Sequence, residues 1–175
     1  MRITVNLGPG IAQFEGRLRA VPAKARLAMA DGLNEGGDLQ FTAQKPVLVH
    51  QTGVKRKSAV TKRMRKRRAS AGRLDYGIDG TGRGLPIDEF PVSVGAHVVA
   101  MPWRVAHDFG PRSFRSKVKG WLRRRVGASR MPIEAFNGPA IPKELVKDAS
   151  AAEFEGHAAK RVERCVMKRL GRMLP

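Results

Sequence analysis

The chain opens with MRITVNL, where Ile3, Val5 and Leu7 alternate with polar neighbours, a period that predicts a short strand. Gly8, Pro9 and Gly10 break it. Ile11, Phe14, Leu18 and Val21 follow at helical spacing and predict a first helix up to Pro22. Over 23–44 the stripe Leu27, Ala30, Leu33 or Asn34, Gly37 and Phe41 is again helical, but thin. Gly32, Gly36 and Gly37 each weaken it by about 1 kcal/mol relative to Ala, so this helix must lean on tertiary packing. Pro46 is expected to close it.

After VLVHQTG, the stretch 55–68 is rich in Lys and Arg, which are good helix formers, and it holds no proline. A basic helix is expected there, with Val60 and Met64 as its narrow apolar stripe. In RLDYGIDG, Leu74, Tyr76 and Ile78 alternate with Asp75, Gly77 and Asp79, a strand with one buried face. GTGRG is a turn. The segments LPIDEFPVSV, GAHVVAMPWRVAH and FRSKVKGWLRRRV read as extended, punctuated by Pro86, Pro91 and Pro102. Pro142 suits the first turn of a final helix whose face is Leu145, Ala149, Ala158, Val162, Val166 and Leu170.

The expected class is α+β in a single domain over 1–175: N-terminal helices over 1–70, a central antiparallel β-meander over 71–130, an extended Pro-rich segment over 131–142 and a long C-terminal helix over 143–173. No internal repeat is visible.

Charge changes this picture. Lys and Arg number 34 against 15 Asp and Glu, a net charge of +19 over 175 residues. Self-repulsion on that scale is tolerated most easily beside an anionic partner, such as nucleic acid, an acidic protein surface or an anionic membrane. The apolar fraction of 42% suffices for a core. Cys165 is the single cysteine, so no internal disulfide can form and a reducing compartment is expected. The N-terminus does not read as a signal peptide, and no stretch approaches the ~18 apolar residues of a membrane span.

Catalytic chemistry finds little footing. His50, His97, His107 and His157 sit in no recognisable nucleophile motif, and Cys165 reads as a packed residue. His107 beside Asp108 is too small a cluster for a metal. A nuclease would need carboxylates to hold divalent cations. Asp75, Asp79, Asp88 and Glu89 could meet across a hairpin, but the simpler expectation is solvent-facing acids that balance nearby arginines. GTGRG lacks the Lys-Ser or Lys-Thr of a phosphate loop. The residues therefore point to no cofactor and no metal, and a metal-dependent nuclease using Asp75 and Asp88 stays open as the weaker enzymatic alternative.

Two acid-free basic blocks remain. The first holds Lys55, Arg56, Lys57, Lys62, Arg63, Arg65, Lys66, Arg67 and Arg68. The second, PRSFRSKVKGWLRRRVGASR, runs from Arg112 to Arg130 and includes Arg123, Arg124 and Arg125. Phe114 and Trp121 interleave with its charges. Aromatic rings among arginines can stack on bases; the expectation for these two is nevertheless the buried face of a strand. The blocks themselves are the candidate surface for DNA or for an acidic partner.

The order of these features resembles a phage family. LAMADGLNE, TGVKRKSAVTKRMRKRRAS, LDYGIDGTGRGLPIDEF, GWLRRRV and SRMPIEAFNGPAIPKELVKDA, followed by a basic terminal helix, look like the minor tail protein Z family, the tail-completion proteins of long-tailed phages and prophages. The resemblance covers the chain from about Ala25 to its end, and RMPIEAFNGPAIPK is its most distinctive piece. It implies a structural virion protein without enzymatic activity, assembled in the bacterial host cytoplasm at the head-proximal end of the tail. There it would help join tail to head and let the genome enter and leave the tail. By the same analogy it implies a homo-oligomeric ring, six copies in a sixfold tail, with other tail and neck proteins as partners and no membrane. The basic blocks would then contact DNA phosphates without reading sequence, or dock on acidic neighbours. A stand-alone nucleic-acid-binding protein is the alternative reading.

Overall fold

The computed structural model describes residues 23–117 and 121–172. The strand and helix expected over 1–21 lie outside them, as does Met173.

Helix α1 (Ala23–Thr52) is 30 residues long and runs on through Pro46, which was expected to end it. A proline inside a helix forfeits one hydrogen bond and costs about 3 kcal/mol. Here Leu48 and Thr52, both fully buried beyond it, anchor the last turns in the core. The stop comes at Gly53, whose φ of +74° suits glycine and whose N–H reaches Val49 O at 3.0 Å.

The basic helix expected over 55–68 is also corrected. Helix α2 (Lys57–Thr61) spans five residues. The chain then turns into strand β1 (Met64–Arg67), paired antiparallel with β2 (Gly77–Gly80). A continuous helix would stack Lys62 on Lys66 and Arg63 on Arg67, like charges four apart that repel. The strand keeps Val60 and Met64 buried, as the sequence required, and gives its backbone a partner.

The middle of the chain is antiparallel throughout but divided. The β1–β2 ribbon is one sheet. Strands β3 (Val92–Val94), β4 (Val98–Ala100) and β5 (His107–Asp108) form a second. Strands β6 (Ser113–Arg115), β7 (Leu122–Arg125) and β8 (Ile133–Ala135) form a third, each of these two a meander. Pairing thus starts at Met64 and ends at Ala135, outside the expected limits of 71 and 130 at both ends. The Pro-rich segment is extended as expected and has a task. Pro139 O accepts from Leu85 N at 2.8 Å and Gly138 N donates to Leu85 O at 2.7 Å, tying the third sheet to the core.

The final helix is split. Helix α3 (Ile141–Glu144) carries Pro142 in its first turn; the chain breaks at Asp148 (φ +47°), and α4 (Asp148–Gly171) follows. The order helix, strands, helix makes the fold α+β.

Helices α1 and α4 pack antiparallel at very short range. A Cβ on Gly32 would lie 2.6 Å from Val166 Cα, and one on Gly36 would lie 2.7 Å from Val162 Cα. The glycines that weaken α1 in isolation are what let α4 approach. Further along, Gln44 Nε2 donates to Ser150 O at 3.0 Å while Ser150 Oγ donates to Gln44 Oε1 at 3.0 Å, both residues buried. Gln51 Oε1 accepts from Ser150 N at 3.0 Å, so α1 caps the first turn of α4. The main core gathers Phe41, Leu48, Val60, Met64, Leu85, Ile87, Phe90, Val98, Leu122 and Ile141. Cys165 is buried on α4, as expected.

Candidate nucleic-acid interface

The first basic block divides into a set held by partners and a set that faces solvent. On β1, Lys66 shares the face of buried Met64 and reaches across the Phe41 ring, 4.9 Å from its centroid, to Asp38 Oδ1 at 2.7 Å. Arg68 pairs with Asp38 Oδ2 at 2.8 Å, and Tyr76 Oη donates to Asp38 Oδ1 at 2.8 Å. Arg67 pairs with Asp75 at 2.9 Å, and Arg63 donates to Arg83 O at 2.9 Å. Lys55, Arg56, Lys57, Lys62 and Arg65 are exposed and have no side-chain partner among the described residues.

Asp38 was not singled out in the sequence, although an acid midway along a thin helix, in a chain short of acids, is a usable signal. Burial pushes its carboxyl up, but hydrogen bonds from Lys66 and Tyr76 and the charges of Lys66 and Arg68 outweigh this and hold it below the ordinary 3.8. Burial, and then the same contact with Asp38, raise the Tyr76 phenol. A carboxyl lowered by folding stabilises the fold above its unfolded value, and that contribution is lost as pH falls through the folded value. Amides of β1 are therefore expected to lose hydrogen-exchange protection as pH drops below about 4. Asp38→Asn should reproduce that loss at neutral pH, at a cost of about 2 kcal/mol. Equal β1 protection in the variant and the wild type at neutral pH would show that Asp38 does not anchor the strand. Glu35 is lowered likewise by hydrogen bonds from Arg169 and Lys168, clamping α1 to α4 at 2.7 and 3.1 Å.

The second block is carried by β7. Leu122 takes the inward position and is 2% exposed; Arg123 and Arg125 take the other face. Trp121 and Phe114 are corrected by the same parity. Trp121, one step before Leu122, is 47% exposed, and the Arg123 guanidinium lies 5.0 Å from its ring centroid. Phe114 pairs with Arg123 in the register, is half-buried and sits 5.4 Å from the Arg125 guanidinium. Arg124 lies on the opposite face, 5.6 Å from the Phe136 ring and 3.3 Å from Glu134.

A three-residue 3-10 turn, Ile87–Glu89, joins the two blocks. Glu89 O accepts from Lys55 N at 2.8 Å, and Asp88 Oδ2 accepts from Leu122 N at 3.3 Å. Lys55, Arg56 and Lys57 thus start from the turn that also anchors the head of β7. Lys66, Arg67 and Arg68 are turned instead toward Asp38 and Asp75.

The acids that could have met across a hairpin do not assemble. Asp75 pairs with Arg67, Asp79 stands opposite Arg65 in the register, and Asp88 serves a backbone N–H. Among the described residues no three His, Cys, Asp or Glu side chains gather to hold a metal ion. His97, just before β4, meets Asp108 of β5 at 2.9 Å on the surface, while His107 lies 6.1 Å from the Trp103 ring. The hydrogen bond from His97, helped by Gly110 N–H, lowers the Asp108 carboxyl. His50 lends its carbonyl to Arg104, and His157 is exposed on α4. No helix among the described residues is long and apolar enough to cross a membrane. Searches against protein-family models, curated proteins and solved structures return no match.

Proposed function

We propose that this chain is a structural, non-catalytic protein of a phage particle, completing the head-proximal end of the tail as a homo-oligomeric ring. Its basic surface contacts the DNA that passes from head to tail. The family reading rests on the sequence resemblance; what supports the DNA contact is the joining of the two acid-free blocks at the Ile87–Glu89 turn. Lys55, Arg56 and Lys57 face solvent beside that turn, and Lys62 and Arg65 face solvent farther along the block, all five without side-chain partners among the described residues, while its other four cations are held by acids or carbonyls. Such a surface binds phosphates without reading bases, so DNA can slide across it.

Cryo-EM of a particle carrying this protein tests the reading. A ring of this chain at the head–tail junction, with Lys55 to Lys57, Arg123 and Arg125 facing the lumen, is the expected result. A ring whose basic surface packs on acidic neighbours would keep the tail role and refute the DNA path. Absence from the particle would refute the tail role and favour a stand-alone nucleic-acid-binding protein. In solution, contacts to ~6–10 phosphates predict that duplex affinity falls about 10³- to 10⁵-fold between 50 and 200 mM salt. A flat salt response would refute phosphate contact.

A further inference from the structure

We infer that the outward face of the β6–β7–β8 sheet binds single-stranded nucleic acid, with bases stacked on Trp121 and Phe114 and phosphates held by Arg123 and Arg125. Strand parity carries the first step. Trp121, Arg123 and Arg125 alternate with inward Leu122, and the register sets Phe114 beside Arg123 and Ile133 beside Arg125. Two aromatic rings and two guanidiniums therefore share one face. The acid of this sheet, Glu134, stands beside Arg124 on the other face, so nothing on the outward strand positions neutralises the charge.

A phosphate-only surface needs no rings. An exposed tryptophan at the head of a strand is a large apolar group that water solvates poorly, and the Arg123 and Arg125 guanidiniums lie 5.0 and 5.4 Å from the centroids of the Trp121 and Phe114 rings. Bases offer a π-face of the right shape and are linked by phosphates, which complement the guanidiniums. Duplex DNA cannot present its base faces, so the rings distinguish single strands from duplex. Three strands spaced about 4.8 Å apart make a platform about 10 Å wide, room for two or three stacked bases. This inference rests on the reading that the basic surface meets nucleic acid, and adds which form of it one half prefers.

The test is fluorescence anisotropy of the full chain with a labelled oligothymidylate of about 15 nucleotides and with a duplex of equal length. Trp121→Ala is expected to weaken oligothymidylate binding about 5- to 150-fold, with duplex binding changed less than about twofold. Trp121→Phe should retain most of the affinity, and Trp121→Leu should behave as Trp121→Ala. Thermal unfolding of each variant separates lost stacking from lost fold, and the leucine variant keeps apolar bulk should alanine unfold the sheet. Arg123→Ala should weaken both ligands and reduce the salt slope by about 1. If Trp121→Ala and Trp121→Leu weaken both ligands equally, or neither, while duplex still binds, stacking is refuted and phosphate contact survives. If the wild type binds neither ligand, the nucleic-acid reading falls with it. If polyglutamate binds as tightly and with the same dependence on Trp121, the face is a protein contact.

Discussion

Gly36→Leu is expected to destabilise the fold by about 3 kcal/mol or more, or to prevent folding, because its side chain would enter the backbone of α4. A Cβ alone at this position meets Val162 Cα at 2.7 Å and Arg161 O at 3.1 Å. Neither is the end of a flexible side chain, so the helices must separate. Separation strains the buried Gln44–Ser150 pair and the cap that Gln51 gives Ser150. Helix propensity works the other way, since replacing a helical glycine by alanine gains about 1 kcal/mol where space allows. Gly156 on α4 is such a place, with nothing within 4 Å of an added Cβ. Urea unfolding should therefore give opposite signs: Gly156→Ala raises the midpoint, and Gly36→Ala lowers it by about 1–3 kcal/mol after conversion. The same sign at both positions would mean that the helices do not pack through their glycines.

Phe90→Ala should cost about 3–5 kcal/mol, a large part of the 5–15 kcal/mol that holds a domain together. Phe90 is 0% exposed and closes the turn Ile87–Glu89 with its N–H on Ile87 O at 3.1 Å. Its ring fills the space left by Gly138, where a Cβ would lie 2.7 Å from the ring edge. That contact supplies a stringent check. Gly138→Ala should destabilise the wild type but be far better tolerated beside Phe90→Ala, where the ring is gone. A double-mutant cycle should show coupling on the order of 1–3 kcal/mol. Additive effects would mean that the two residues do not meet. Because the same turn holds Lys55 and Leu122, any folded Phe90→Ala protein should also bind duplex DNA more weakly.

Of the apolar positions named from sequence, Phe41, Val60, Met64 and Ala158 are buried, whereas Leu27, Trp121 and Ala149 are exposed, and the elements around them also differ from those expected. Val60 and Met64 are both buried, but one ends a short helix and the other starts a strand. Four-residue spacing satisfies a helix, and equally a turn that returns both side chains to one core. Val162 and Val166 lie on the expected face of α4, yet what they face is glycine, which a hydrophobicity pattern cannot register. Gln40, Gln44 and Gln51 were invisible for a related reason. Polar residues that pack inside, Gln40 and Gln44 fully and Gln51 in part, look like surface until their partners, Arg161, Ser150 and Glu144, are in place. At the candidate interface, the basic residues were legible because charge is local. Their division was not, because Asp38 selects Lys66 and Arg68 from a distance of about 30 residues along the chain.

The sequence alone determined the class, the helix–strand–helix order, the +19 charge and the two acid-free blocks, since these follow from composition and short-range period. Tertiary structure decided three things that no local pattern contains. It carried α1 through Pro46, because Leu48 and Thr52 gain burial that outweighs one lost hydrogen bond. It turned Met64–Arg67 of the basic block into a strand, because β2 offers backbone partners and Asp38 a carboxylate. It set Trp121 outward and Leu122 inward, because adjacent residues of a strand face opposite ways and only the packed core says which way is in.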